Sequence, residues 1–251
     1  MPNVTIHCHA ELNDFLPRDR QDTPFTVPWV DNGSIKNLIE SVGVPHPEIG
    51  LLLVNNAAVD FTYLVQPGDQ IEVSPSSGSS AGGAQPAVRL RPPLTTTRFI
   101  LDTHLGRLAG YLRMLGFDTL YRNDFDDPEL ARLAHDQTRI LLTRDIGLLK
   151  RSLVIYGYFV RATDPERQLR EVAQRFNLAH AAASFERCMR CNGLVQRVDK
   201  AQIDHLLEPR TRQYYHVFHQ CRECGQIYWQ GSHFARMQAV IERVMQAKHD
   251  E

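Results

Sequence analysis

The residues of this sequence that could do chemistry are a set of aspartates and two pairs of cysteines. Phe99-Ile100-Leu101 and Ile140-Leu141-Leu142 are short apolar runs that end in acid, at Asp102 directly and at Asp145 after Thr143-Arg144. Asp124, Asp126 and Asp127 follow a third strand candidate, Thr119-Leu120-Tyr121. Carboxylates held together repel unless a divalent cation lies between them. Asp102, Asp145 and the group Asp124, Asp126 and Asp127 are therefore candidate acids of one cation site, with Asp102 and Asp145, at strand ends, as ligands for Mg(II) or Mn(II). Helix capping competes as an explanation for Asp145, for Asp127 before Pro128 and for Asp164 before Pro165. Of the five cysteines, four form Cys188-x-x-Cys191 and Cys221-x-x-Cys224. Each C-x-x-C makes a tight turn that presents two thiolates, eased here by Asn192-Gly193 and Gly225. Four thiolates suit one tetrahedral Zn(II) in a closed, structural site. His216, His219 and His233 flank the second pair, but the cysteines already fill a tetrahedron. Cys8 stands apart as a small buried hydrophobe.

The elements around these residues read as α/β. Continuous apolar runs alternating with helical patterns indicate strands buried on both faces in a parallel sheet. Sites in such sheets lie beyond the carboxyl ends of the strands, where the three acidic positions are expected to converge. A helix from about Thr103 to Leu115 has Leu105, Leu108, Ala109, Leu112 and Leu115 as its stripe, with Gly116 as the stop and Phe117 folding back. Further helices start at Asp127-Pro128 and Asp164-Pro165, and a short one near Leu148-Leu149. Arg107, Arg113 and Arg144 are the candidate phosphate-binding residues, with Lys150 and Arg151 nearby. In the cysteine-bearing segment Arg187, Arg190, Arg197, Arg210, Arg212, Tyr214, Tyr215, Tyr228 and Trp229 mix cations with aromatics, a combination suited to single-stranded RNA. A small ribbon core explains Tyr228 and Trp229 equally well.

Residues 1–74 alternate strands and one helix in the order ββαββ. The helix is capped by Ser34 and stopped by Gly43, and Pro67-Gly68-Asp69 turns the chain into the last strand. This order resembles the β-grasp fold of ubiquitin-like sulfur carriers. Such carriers act through a free Gly-Gly terminus, whereas Gly82-Gly83 is internal, which favours a docking module. Residues 75–97, rich in Gly, Ser and Pro, read as a flexible linker with an r.m.s. span of roughly 25 Å, across which the domains are expected to move independently. Residues 98–184 form the α/β domain, and 185–251 the zinc ribbon with a C-terminal helix. At 251 residues the chain has room for these domains, and its net charge of -1 excludes a global positive field for nucleic acid. The sequence lacks a membrane span and a signal-peptide pattern, so it is read as cytoplasmic.

DTHLGRLAGYLRMLGFDT, DDPEL, RILLTRD, QLREV, CMRCNG and CGQIYWQGSHF, in this order over about 98–236, resemble the Mut-seven C-terminal RNase family. That family is assigned to the PIN-like nucleases and carries a zinc ribbon, and some members have a ubiquitin-like domain in front. The resemblance implies a PIN-like three-layer α/β/α domain and metal-dependent cleavage of RNA, single-stranded or structured, at an acidic cluster. It places Asp102, Asp127 and Asp145 at the family's acidic positions and the fourth acid of PIN-type sites near Asp164. Phosphodiester hydrolysis by two carboxylate-bridged Mg(II) or Mn(II) ions fits those residues. The alternatives are a non-catalytic RNA-binding adaptor and a β-grasp sulfur carrier or docking protein, the latter engaging a protein partner.

Overall fold

The structure, a computed structural model, describes residues 3–28, 33–76, 88–178 and 185–246. Gly82-Gly83 and the His233 side chain lie outside the described parts. The fold is mixed α/β: an N-terminal sheet, parallel strands with helices between them, and a C-terminal ribbon that gathers four cysteines. Among the described residues, no helix is long and apolar enough to cross a membrane.

The N-terminal sheet has five strands in the order β2-β1-β5-β3-β4: β1 (Asn3–Cys8), β2 (Phe25–Pro28), β3 (Ile49–Val54), β4 (Ala57–Ala58) and β5 (Gln70–Pro75). β1 and β5 run parallel, and the other pairs are antiparallel. Helix α1 (Ile35–Ser41) starts at Ser34, whose hydroxyl accepts the Asn37 N–H, and ends before Gly43 at φ 124°. Strand alternation turns Val4, Ile6, Cys8, Ile71 and Val73 inward onto Ile35, Leu38 and Ile39 of the helix. Asn55 and Asn56, both at positive φ, make the two-residue β3–β4 turn. Asp69 ties the last loop: its carboxylate accepts from the Gln66 N–H at 2.8 Å, Asn55 Nδ2 at 2.9 Å and the Tyr63 hydroxyl at 3.1 Å.

Beyond residue 97 the chain forms β6 (Phe99–Leu101), α2 (Gly106–Met114), β7 (Thr119–Leu120), α3 (Asp127–Asp136), β8 (Ile140–Thr143), α4 (Ile146–Leu149), β9 (Gly157–Phe159) and α5 (Pro165–Arg175). The ribbon follows with β10 (Val195–Val198), α6 (Lys200–Ile203), α7 (Pro209–Tyr214), β11 (Phe218–Cys221), β12 (Ile227–Tyr228) and α8 (Ser232–Gln246). The chain divides into two compact units, Met1–Thr96 with Asp127–Phe159, and Thr97–Asp126 with Val160–Glu251.

In the first unit β8 and β9 pair in parallel, Leu141 opposite Gly157 and Thr143 opposite Phe159, and all of β8 is buried. The N-terminal domain is bonded to this segment. His46 Nε2 lies 2.8 Å from the Val154 carbonyl, Lys150 Nζ donates to the Glu40 carbonyl at 2.6 Å, and the Phe159 N–H donates to Glu48. Phe15 meets Phe159 edge-on at 5.5 Å. Residues 88–92 depart from the flexible linker expected of 75–97. Leu90 packs against the N-terminal core, Arg91 donates to the carbonyls of His46, Pro47 and Ile49, and the Pro92 carbonyl accepts the Tyr156 hydroxyl. These bonds run against free movement of the N-terminal domain. Composition hid them because Val88-Arg89-Leu90-Arg91 is a short run between a Gly- and Ser-rich stretch and Pro92-Pro93, and shows no helix or strand period.

In the second unit β6 and β7 pair in parallel, Phe99 opposite Thr119. A 3-10 turn over Thr103–Leu105 precedes α2, whose Leu108, Ala109 and Leu112 are buried along with Leu105 and Leu115. Gly116, at φ 89°, stops the helix; its N–H donates to the Arg113 carbonyl and that of Phe117 to the Leu112 carbonyl. α5 packs against α2, and α8 against α5. β10, β11 and β12 form the antiparallel ribbon sheet, over a core of Ile203, Leu207 and Phe218 flanked by Tyr215, Ile227 and Trp229.

Candidate metal centre and acidic positions

The ribbon brings Cys188, Cys191, Cys221 and Cys224 together with all four sulfurs within 4.8 Å of one another. Each pair is held by a tight turn. The Cys188 N–H donates to the Gly193 carbonyl at 2.7 Å and the Cys221 N–H to the Gln226 carbonyl at 2.9 Å. Asn192 and Gly225 take positive φ where those turns require it. Cys221 Sγ accepts the N–H groups of Glu223 and Cys224, and the Tyr228 hydroxyl lies 3.0 Å from Cys188 Sγ. Burial opposes ionisation of Cys188, but the Tyr228 hydroxyl and the backbone N–H groups of Cys191 and Arg190 outweigh it and bring the thiol down to about 7. Cys191 is pushed up to about 12, by burial and by its bonds to the other thiols. Adjacent thiolates repel, so a second charge on the set needs a cation. The donor set and its closed spacing fit one Zn(II).

Arg113, expected to bind phosphate, holds this centre in place instead. It is 4% exposed. Its Nε donates to the Thr119 carbonyl at 2.9 Å, and Nη1 donates to the carbonyls of Met189 at 2.8 Å and Arg190 at 3.2 Å, between the first two cysteines. Asn192 makes the companion clamp: its Oδ1 accepts the Thr119 N–H at 2.9 Å and its Nδ2 donates to Asp118 at 2.7 Å. Sequence reading missed Asn192, Asp118 and Tyr228 as supports of the cysteine centre. An Asn-Gly after the second cysteine signals the turn but not the side-chain bonds.

Asp102, Asp127, Asp145 and Asp164 occupy the ends of buried strands or the starts of helices, and Asp124 and Asp126 lie in the loop before α3. Asp102 closes β6, is 7% exposed, and accepts the Thr103 N–H on Oδ1 at 2.6 Å. Tyr121 braces the same turn, its hydroxyl donating to the Thr103 carbonyl at 2.9 Å. Asp145 follows β8 and caps α4, with Oδ1 accepting the N–H groups of Gly147 and Leu148. The Asp145 N–H donates to Thr143 Oγ1 at 2.9 Å, so the hydroxyl expected to orient the carboxylate fixes its backbone. Asp164 caps α5 in the same way, Oδ1 accepting from Glu166 and Arg167. Both caps use a single oxygen, so the capping bonds leave Oδ2 of each residue for other chemistry. Asp127 opens α3 and lies 3.7 Å from Arg151. Asp124 is held at both oxygens by Arg122, which lowers its pKa, and Asp126 is exposed in the same loop. Asp102, Asp124, Asp126 and Asp164 belong to one compact unit, Asp127 and Asp145 to the other.

Of the other candidate cations, Lys150 bonds the Glu40 carbonyl and Arg151 faces Asp127, whereas Arg107 is exposed on α2 and Arg144 is half-buried after β8. In the ribbon, Arg190, Arg197 and Arg210 are exposed and Tyr214 is 67% exposed, while Tyr228 and Trp229 pack against Phe185 and Phe218.

Two family models match the chain, Mut7-C ubiquitin over residues 1–81 and the Mut7-C RNAse domain over residues 97–241. No curated protein and no solved structure matches. The second match takes in every candidate acid and all four ribbon cysteines, and it spans more than half of the 251 residues. The chain thus belongs to the Mut7-C RNAse domain family, with a ubiquitin-like domain ahead of the RNAse domain.

Proposed function

We propose that this chain is a Mg(II)- or Mn(II)-dependent ribonuclease of PIN-like type that acts through Asp102, Asp127 and Asp145. The match to the RNAse domain over 97–241 carries this reading. The local structure of the acids supports it. Asp102 is fixed at a strand end by Thr103, and Asp145 is fixed by its cap while Oδ2 stays outside the capping bonds. Asp127, beside Arg151, is the third carboxylate. When bound, the divalent ion activates water for attack on phosphorus and neutralises charge on the phosphoryl and leaving oxygens. The chain's own part is to hold the carboxylates in fixed rotamers, which makes their charge available without reorganisation. Arg107 and Arg144 contact RNA phosphates, and the exposed Arg190, Arg197, Arg210 and Tyr214 extend the RNA surface onto the ribbon. The ubiquitin-like domain is a docking module for a protein partner, and the ribbon zinc is structural.

The test is cleavage of a labelled RNA pool with and without Mn(II), comparing the native chain with Asp145→Asn. Asparagine keeps the cap, so the variant is expected to melt as the native chain does and to lose activity. Undiminished cleavage by a folded Asp145→Asn would remove this residue from the metal site.

A further inference from the structure

On the N-terminal sheet three further side chains converge, none of them a candidate acid or a ribbon cysteine. His7 lies on β1 opposite Glu72 on the parallel neighbour β5, and His9 follows two residues on, its N–H bonded to the Val73 carbonyl at 3.0 Å. Two-residue alternation puts His7, His9 and Glu72 on one side, while Ile6, Cys8, Ile71 and Val73 are locked in the core on the other. Glu72 is held from both sides, opposite His7 on β1 and Leu53 on β3, and the β1–β5 ladder fixes His7. His7 Nδ1 lies 3.1 Å from Glu72 Oε2, and His9 Nε2 is in contact with the same oxygen. The ring centroids are 4.2 Å apart with the planes at 53°, and the three ligand atoms all fall within 4.8 Å.

We propose that His7, His9 and Glu72 form a binding site for one divalent transition-metal ion of the Zn(II) class. Two imidazole nitrogens and one carboxylate oxygen turned toward a common point, with His7 and Glu72 held opposite one another by the β1–β5 ladder, make a good ligand set. Ligand bonds of about 2.0–2.1 Å around a tetrahedral ion put donor atoms roughly 3.4 Å apart, a spacing the three atoms reach by small side-chain rotations. Two nitrogens and one carboxylate oxygen suit Zn(II) and its first-row neighbours, whereas Mg(II) and Ca(II) prefer all-oxygen sets. The ligand side chains are 26%, 41% and 38% exposed, so the remaining coordination position is open to water or to a ligand from outside the chain. Cys8 is excluded as a ligand because it is 1% exposed on the core side.

The experiment loads the full chain with zinc, dialyses it against a small excess of Zn(II) in the presence of Mg(II), and counts zinc per chain by atomic emission. The native chain is expected to hold two zinc ions. His7→Gln, His9→Gln and Glu72→Gln are expected to hold one, with the ribbon zinc retained. In the unaltered chain, nitrogen NMR of the imidazoles should show His7 Nδ1 and His9 Nε2 shifting on Zn(II) addition, a readout that needs no variant to fold. One zinc per native chain, a second zinc retained by the His7→Gln/His9→Gln chain, or unmoved His7 and His9 resonances would each overturn the proposal. None of these readouts uses RNA cleavage, so they stand or fall apart from the ribonuclease reading.

Discussion

Arg113 shows how much one side chain can hold together. Its guanidinium is buried and bonded to the Thr119, Met189 and Arg190 carbonyls, beside the cysteine cluster whose charge it offsets. Arg113→Met leaves those buried carbonyls without donors and is expected to destabilise the chain by about 3 kcal/mol. The measurement is a thermal melt paired with zinc release to a chelator, and release should be faster in the variant. Asp164→Asn is the contrasting case. Its two cap bonds survive the substitution, so the melting temperature should stay within the shift expected of roughly 0.5 kcal/mol. The caps at Asp145 and Asp164 were legible in the sequence because capping is local: an acid, a Pro or Gly, and an apolar period suffice. The burial of Arg113 was not legible. Its partners at Met189 and Arg190 lie far along the chain, and an arginine on a helix gives no sign of which carbonyls it will meet.

The ribbon is the element in which metal, folding and pH are most closely linked. Its core is small, Ile203, Leu207 and Phe218 with partly buried neighbours, so a zinc ion held by the four cysteines would supply much of its stability. Chelation is expected to unfold the ribbon before the rest, seen as loss of hydrogen-exchange protection confined to 185–246. Zinc binding releases thiol protons, and because Cys188 is lowered to about 7 it is partly ionised at neutral pH. Calorimetry at pH 7 in buffers of different ionisation enthalpy should therefore count fewer than four protons released per zinc. The paired C-x-x-C spacing made this element legible. The excursion between the pairs did not announce its structure: α6 and α7 are too short to show a clear period, and they exist because Ile203, Leu207 and Tyr215 cover Phe218.

At the scale of the molecule, the ubiquitin-like domain was legible almost element by element, from the Ser34 cap to the Asn55-Asn56 and Pro67-Gly68-Asp69 turns. Its attachment to 150–159 was not, because the bonds from His46 and Glu48 join residues more than a hundred apart in sequence. A protease site placed within 77–87 should yield two fragments that still elute together, held by those bonds and by those of Lys150 and Arg91; separation of the fragments would mean the contacts are too weak to tether the domain. Whether carboxylates at strand ends work through a divalent ion is read from RNA cleavage in Mn(II) by the native chain and by Asp102→Asn, with a melt of each. Removing one negative ligand relieves carboxylate repulsion, so the account predicts a variant at least as stable as the native chain without metal, and activity lower by on the order of a hundredfold or more. Full cleavage by a folded Asp102→Asn would contradict it.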